Sequence, residues 1–498
     1  MKKKTKVGKV KDGAITSQSI TLFGVKALRI YGNEVNLERA TPDLIDGLKP
    51  VVRRIVYGSG EVARSEFVKT AQVVGHVMGT YHPHGDVSIS GACVTMVQSC
   101  VPLLHGKGGW GNLIDSAAAM RYTNMRLSNF GRTGLDPDYA NKEVTSFVPN
   151  YDDRTVEPVS IPFPLPVILF NGGEGIGYGA ACNLPSFTPE SVVEVIKRLL
   201  QGEKLKAEDF AKALKPNHRW GGEFVKTKEN RKAWLDMFTS SKASVQFQSP
   251  LVVDSLKKTI VVSEWPQGLD PEKFILWVRS LPETNEAAPT KGSAEFTIQM
   301  KKGYNSVQFD KWVSQIQNKT KVRASYNINV THRTAKIEDG VVTYDVALLS
   351  LSVPQLLVAW LRARKEIEIK SLTYRVKKQQ AAIDYSNLLI FAASKLDIIV
   401  PIIRKSAKPR EELAKALKIT IEQADQILDL TLRKLTRLDQ DALHTKLKEQ
   451  EKTLVQLNKW LKAPKKKMLL DVDEAMEAIN KDRAHKTKQD TQKLKLKR

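Results

Sequence analysis

The sequence predicts a multidomain α+β protein, and three observations carry that prediction. The chain has 498 residues and is 42% apolar, enough for roughly two to four cores at about 150 residues per domain. From about position 156 helical periods give way to β-branched runs between turn signals. Beyond Pro354, which suits a first helical turn, no proline occurs until Pro401, and apolar residues recur at spacings of three, four, seven or eight. That is the seam of a long helix.

The elements follow in order. Residues 1–30 read as a basic arm opening with "MKKKTKVGKVKDG"; no apolar core of signal length follows it. The stretch "KDRAHKTKQDTQKLKLKR" from 481 is similarly lysine-rich, so both ends read as solvated tails, disordered when free. Between them "SEFVKTAQVVGHVMG" and "DVSISGACVTMVQSCV" read as two helices joined by "TYHPHG", an arrangement that fits a helix-turn-helix. "SAAAMRYTNMRLSNF" (116–130) reads as a small-residue helical segment. Strands are predicted in "KASVQFQSPLVVDS", "KKTIVVSEWP", "SAEFTIQMKKG" and "VVTYDVALLSLS", within a mixed α/β region of 156–345. Leu357, Leu361, Ile369, Leu372, Val376 and Ile383 form the seam of one long helix, and Leu443, Leu447, Leu454, Leu457 and Leu461 that of a second from 422 to 462, interrupted by Gln450. Helices of about 40 residues would run about 60 Å. The natural reading is an antiparallel coiled coil (346–395 and 422–462) with a helical knob at 396–421, followed by a helix and basic tail at 463–498; a helical bundle packed on the body is the alternative.

Composition narrows the partners. A net charge of +24 and a pI near 9.7 point to a polyanion, nucleic acid first. Cys93, Cys100 and Cys182 lack metal-ligand spacing, so neither a disulfide framework nor zinc is implied, and a reducing cytoplasm is expected. No stretch approaches the roughly 18 apolar residues that span a bilayer; membrane insertion is not expected.

Five stretches, in order, carry a resemblance. "RATPDLIDGLKPVVRRIVY" (39–57), "QVVGHVMGTYHPHGD" (72–86), "SAAAMRYTNMRL" (116–127), "NGGEGIGYGAACNLP" (171–185) and "QILDLTLRKLTRLD" (426–439) resemble the successive signatures of the A subunit of type IIA DNA topoisomerases. That group includes the A subunits of gyrase and topoisomerase IV and the medium subunit of phage topoisomerases. The resemblance implies a winged-helix (CAP-like) domain with the catalytic tyrosine at 31–155, an α/β tower domain at 156–345, and a long coiled coil ending in a dimer gate. It implies double-stranded DNA as substrate, cut and resealed during ATP-dependent duplex passage.

The chemistry fits the residue types. A phenol with a pKa near 10 is a weak nucleophile at neutral pH and needs a base, cation or metal to favour its oxyanion. Arg121 places a permanent charge beside Tyr122. An Arg-Tyr pair alone is ordinary surface; the resemblance makes Tyr122 the nucleophile that becomes joined to a 5′ phosphate. It likewise assigns Arg53 and His84 to holding the scissile phosphate or assisting proton transfer, and Arg39, Lys49, Arg54 and His82 to neighbouring DNA contacts. Charge-assisted bonds to phosphate explain that choice. Ile176, set among glycines in "GGEGIGYG", matches a wedge pushed between base pairs, which costs unstacking and gains a bent duplex. The same glycines loosely resemble a dinucleotide cradle, but two prolines follow instead of a helix.

The metal and nucleotide belong elsewhere in this reading. Phosphoryl transfer of this kind uses a divalent metal, and the resemblance places Mg²⁺ and ATP on a B-type partner in an A2B2 assembly. Asp471 and Asp473 in "LLDVDEAMEAI" read as an ordinary helix start, and no site residue of this chain is assigned to metal. Val52 replaces a common histidine, the loop "GKGGWGNLIDSAAAMRY" is one residue shorter than in bacterial relatives, and Val87 and Gly91 stand where quinolone-sensitive relatives carry a hydroxyl and an acid. Weak quinolone inhibition is therefore expected. The sequence ends soon after the coiled coil, which predicts relaxation and decatenation over negative supercoiling and resembles the phage protein; a viral source would place it in the host cytoplasm. The competing class is an architectural DNA-binding protein without catalysis. A tyrosine recombinase would require a scattered Arg/His set that is not evident.

Overall fold

The computed structural model describes residues 19–179, 181–290, 295–338, 341–429 and 440–495. The first 18 residues, most of the fifth resembling stretch (430–439) and the end of the basic tail therefore lie outside the described residues. The mixed α+β, multidomain character is as predicted.

Helix α1 (Ile20–Val35) leads through a π-helical turn at Asn36–Ala40 to α2 (Pro50–Val62), whose proline occupies the first turn. Strand β1 (Val68–Lys69) precedes α3 (Thr70–Thr80) and α4 (Asp86–Gln98). Strands β2 (Leu104–Lys107) and β3 (Asn124–Leu127) complete an antiparallel sheet in the order β1-β3-β2. The two helices around "TYHPHG" are as predicted, although α3 begins at Thr70 because Val68 and Lys69 pair with β3. One face of each packs inward: Val73, Val74 and Val77 from α3, Ile89, Cys93 and Met96 from α4.

"SAAAMRYTNMRLSNF" is not helical before its last two residues, Asn129 and Phe130, which open a short helix (Asn129–Thr133). Met120–Tyr122 form a turn and Asn124–Leu127 a strand. Met125 and Leu127 are buried while Asn124 and Arg126 are less so, and this period-two burial overrides the helix propensity of the alanines.

The next region holds two sheets. A five-stranded sheet includes the hairpin Gly173–Ile176/Ala181–Leu184, with Ile176 opposite Ala181 at its tip. A four-stranded sheet (strands within 251–300) packs helices Pro271–Ser280 and Ser306–Lys319 around its own core of Trp265, Phe274, Val278, Ile298 and Trp312. That core is separate from the one shared by α2–α4 and the five-stranded sheet. All four predicted strand stretches are strands, the last running on to Ser350.

The predicted long helix spans Val353–Ala393, 41 residues. Its seam departs from the reading at Ile369, which is 37% exposed while Glu368 is fully buried. The second arm is not one described helix from 422. Ile421–Leu428 ends with Asp429 as C-cap, and the return helix is Gln440–Lys462. Gln450, the break in the leucine seam, has a positive role: its backbone carbonyl accepts from Gln379 Nε2 at 3.0 Å and its side chain from Ser386 Oγ at 2.8 Å. Farther along the return path Asp471 faces Arg364 and Glu368, so the two paths run antiparallel. At the far end Leu388 and Ala392 pack with Ile399, Leu413, Leu417, Ala424 and Ile427, so the knob's core extends beyond 421.

Asp471 does not start a helix; it lies inside Pro464–Lys495. Its carboxylate meets Lys467, Arg364 (3.5 Å) and the Tyr139 hydroxyl (3.2 Å) in a buried cluster that joins the long helix to the body. Burial pushes the Glu368 carboxyl up to about 7 against the pull of Arg364, with Asp471 adding to the rise. Among the described residues, no single helix is long and apolar enough to cross a membrane, and no disulfide links the cysteines.

Candidate active site

Tyr122 stands on the turn just before β3, 65% exposed. Its amide donates to Ala119 O at 2.8 Å, and the next residue is fixed to α3 by Thr70 N→Thr123 O (3.0 Å) and Thr123 Oγ1→Thr70 Oγ1 (2.8 Å). Gly108 has φ +106°, and a Cβ there would lie 3.1 Å from Tyr122 O; a side chain at that turn would displace the tyrosine backbone. The Arg121 guanidinium carbon lies 4.9 Å from the Tyr122 ring centroid, within cation–π reach. The backbone is held while the phenol remains available to a substrate.

A second group gathers around the α3–α4 turn. His82 and His84 stack with centroids 4.1 Å apart and an 11° interplanar angle. Arg54 makes a two-pronged pair with Glu157, both contacts at 2.7 Å, and its Nη1 reaches His82 Nδ1 at 3.0 Å. Since guanidinium only donates, Nδ1 is the acceptor and the His82 proton resides on Nε2. Burial, with His84 and Arg54 adding repulsion, lowers the His82 pKa to about 4, so the ring is neutral at pH 7 and offers a hydrogen bond without a charge. His84 is exposed.

A third group surrounds the exposed hairpin. Ile176 is 93% exposed at its tip. Beneath it, Lys49 Nζ donates to Glu174 O at 2.5 Å, and a Cβ on Gly175 would come within 2.0 Å of Ala40 O, so only glycine permits the strand to lie against the Arg39–Ala40 backbone. Asn36 clamps the following turn from both sides, Nδ2 to Tyr178 O at 2.9 Å and Tyr178 N to Oδ1 at 2.8 Å. Arg39 is exposed. Burial lowers the Lys49 pKa, Cys182 and Glu174 opposing it.

Arg53 is turned inward. It is 5% exposed and forks onto Asp46 (Nε–Oδ2 2.6 Å, Nη2–Oδ1 3.1 Å), with Nη2 also donating to Leu48 O at 3.2 Å. Asp46 further accepts from Leu48 N and Ile161 N. In this arrangement Arg53 fixes the start of α2, and the adjacent Arg54 faces the histidines. Asp46 and Glu157 were invisible as site residues in the sequence; the "IDGLKP" turn, with Gly47 at φ +68°, is the signal that marks Asp46.

Trp110 is 8% exposed, its indole donating to Lys107 O at 3.3 Å and its carbonyl accepting from Gln98 Nε2 at 2.7 Å. Among the described residues no hydrogen bond or ring contact joins Tyr122 to His84. Nor is any group of three or more His, Cys, Asp and Glu side chains placed to hold a metal ion among the described residues. Asp471 is neutralised by Lys467 and Arg364, and Asp473 pairs with Lys197. These carboxylates do not fit a metal.

The family model for the A subunit of DNA gyrase/topoisomerase IV matches residues 39–474. The chain belongs to this family. It is 28% identical over 418 residues to the DNA topoisomerase 4 A subunit of Caulobacter vibrioides, covering 81% of this chain and 53% of that protein. The DNA gyrase A subunit of Campylobacter fetus is 29% identical, over 87% of this chain and 50% of its own length. The DNA topoisomerase 4 A subunit of Haemophilus influenzae is also 29% identical, over 89% and 59%. The chain thus spans between half and three fifths of the length of these curated relatives.

Proposed function

We propose that the chain is the DNA cleavage and religation subunit of a type II topoisomerase, with Tyr122 as nucleophile. The observation that carries this reading is an exposed phenol on a fixed turn with a guanidinium against its ring, in a chain of the gyrase/topoisomerase IV A-subunit family. The Tyr122 oxygen attacks a backbone phosphorus, forming a Tyr–O–P bond and breaking the bond to the 3′ oxygen, which leaves as a hydroxyl once protonated. The phenol proton passes to solvent or to a base in the assembled complex, a part assigned to His84. The phosphotyrosyl ester retains the energy of the broken diester, so attack by the 3′ hydroxyl reverses the step.

The other residues take supporting parts. Arg121 stabilises the phenolate and the phosphate charge. His82, through Nε2–H, and Arg39 and Lys49 contact the DNA backbone, and Arg54 orients His82. Arg53 acts from beneath, by fixing α2. Ile176 inserts into the base stack. In this reading α2–α4 with the three-stranded sheet form the winged-helix domain, the two-sheet region the tower, and the knob around Leu388–Ile427 the homodimer gate at the end of the coiled-coil arms. Mg²⁺ and ATP are assigned to a B-type partner in an A2B2 assembly, and no step above runs through a group on this chain's carboxylates. The test is to assay the chain with a co-purifying B-type partner, ATP and Mg²⁺ on supercoiled and catenated circles. The proposal expects relaxed and unlinked products in steps of two linking numbers; DNA binding with no change of topology would support the architectural alternative.

A further inference from the structure

The separately cored four-stranded module touches both exposed elements of the site. At one end Gln267, two residues after the core residue Trp265, donates from Nε2 to Glu174 Oε1 and to Asn183 Oδ1 (3.1 Å). Glu174 and Asn183 are paired neighbours on the two strands of the Ile176 hairpin. From the same 264–267 segment Trp265 N donates to Trp220 O at 2.7 Å, and Glu264 Oε2 accepts from Gly222 N at 2.7 Å, locking the 219–222 segment to the module. Arg219 lies over Trp220 at 4.9 Å and donates to Gln98 Oε1. Gln98, the last residue of α4, donates from Nε2 to Trp110 O at 2.7 Å.

The amide of Gln98 has only one workable orientation. Guanidinium offers no acceptor and a carbonyl no donor, so Oε1 must face Arg219 and Nε2 must face Trp110. Leu113 and Ile114 extend the connection by packing against the module's core. From there the loop closes on itself through Asn112 N→Asp115 O and Ala118 N→Gly109 O, both 2.9 Å, and ends at Tyr122. Contacts therefore run from the Glu174–Asn183 pair of the hairpin, through the 264–267 segment of a body with its own core, to the nucleophile loop.

We propose that this module couples the Ile176 hairpin to the Tyr122 loop, with Gln267 on the hairpin side and Gln98 on the loop side as positioning residues. The inference rests on the reading of Tyr122 as nucleophile and Ile176 as wedge, and deepens it. A duplex that bends around Ile176 loads the hairpin, the load reaches the module through Gln267, and the module sets the tyrosine loop through Arg219, Gln98, Leu113 and Ile114. Modules with separate cores are the units that move as bodies, and a shared connection makes two distant sites energetically non-additive.

The experiment is a double-mutant cycle in the chain assembled with its B-type partner, reading covalent protein–DNA complex at saturating duplex. Gln98→Glu keeps the contact to Arg219 and removes the donation to Trp110; Gln267→Ala releases the hairpin. Each should lower the rate of complex formation about tenfold, the order expected from losing one or two partly exposed hydrogen bonds, with the DNA dissociation constant within about twofold of wild type. Combined with Ile176→Ala, either should cost no more than Ile176→Ala alone. In the chain by itself, Gln98→Glu should speed amide exchange at Asn112 and Ala118 at least about fivefold while Val77 in α3 is unchanged. Multiplicative losses in the cycle, unchanged cleavage, or exchange altered everywhere in proportion to global stability would each overturn the coupling. A Tyr122→Phe protein that still forms the covalent complex would overturn the nucleophile reading instead, and is told apart by that control alone.

Discussion

The Ile176 hairpin and the Tyr122 loop each hold a large side chain in solvent, 93% and 65% exposed, but they are anchored differently. The hairpin is a paired strand wedged against Arg39–Ala40, clamped by Asn36 and supported by Lys49. Most of its anchors belong to the segment that leads into α2. The tyrosine loop lacks strand pairing until Asn124 and depends on turn hydrogen bonds, Trp110 in the core, and contacts to the separate module. In the proposed reading, a wedge that withstands unstacking forces is built stiff, and a nucleophile that engages and withdraws is held by contacts whose balance can change.

That contrast is open to breakage in order of expected effect. Replacing Ile176 by Ala should reduce DNA bending, read by energy transfer between the ends of a labelled duplex, and lower cleavage by about tenfold to a hundredfold, the scale of a few kcal/mol of lost intercalation. Equal bending in wild type and variant would remove Ile176 from the wedge role. Asn36→Ala should be milder, about threefold to tenfold in cleavage, because it frees two hydrogen bonds that hold the Tyr178 turn; the loss should appear at constant Tyr122 accessibility to a phenol-specific reagent. Gly175→Ala, by contrast, should cost stability as well, since its Cβ meets backbone.

The smallest effect is one of pH. His82 has a folded pKa of about 4 against an ordinary 6.5, so between those values the unfolded chain binds more protons and the histidine's contribution to stability falls as pH drops. His218, also lowered to about 4 by burial, acts in the same direction. Glu368, raised to about 7, acts oppositely: its stabilisation is full below its unfolded value and is lost as pH rises through 7. The clean readout is therefore a difference. The melting temperature of wild type minus that of His82→Asn should shrink between pH 7 and pH 5, and a constant difference would contradict the lowered His82 pKa.

Much of this architecture is legible in the order of residues alone. The α3–α4 pair shows through apolar spacing on either side of "TYHPHG", and the long helix through its proline-free seam after Pro354. Local patterns mislead where tertiary contacts outweigh local preference. Three alanines favour helix, yet burial of Met125 and Leu127 makes the following residues a strand. Arg53 and Arg54 are adjacent and chemically identical in the sequence; only the positions of Asp46 and Glu157, one near and one distant in the chain, turn one inward and the other toward the histidines. Gln450 looks like a flaw in a leucine seam and is instead hydrogen-bonded to the facing helix. Asp471 lacks any local signal of its partner Arg364, which comes from about 100 residues earlier.

The central claim is that Tyr122 is the nucleophile of a reversible break in DNA. It is tested by incubating the chain and its B-type partner with Mg²⁺ and end-labelled duplex, denaturing, digesting the protein and sequencing the peptide that remains on DNA. The account predicts a single tyrosyl peptide ending the 5′ side of each cut strand, with Tyr122 modified and no adduct from Tyr122→Phe. An adduct on another residue, or one retained by Tyr122→Phe, would contradict it.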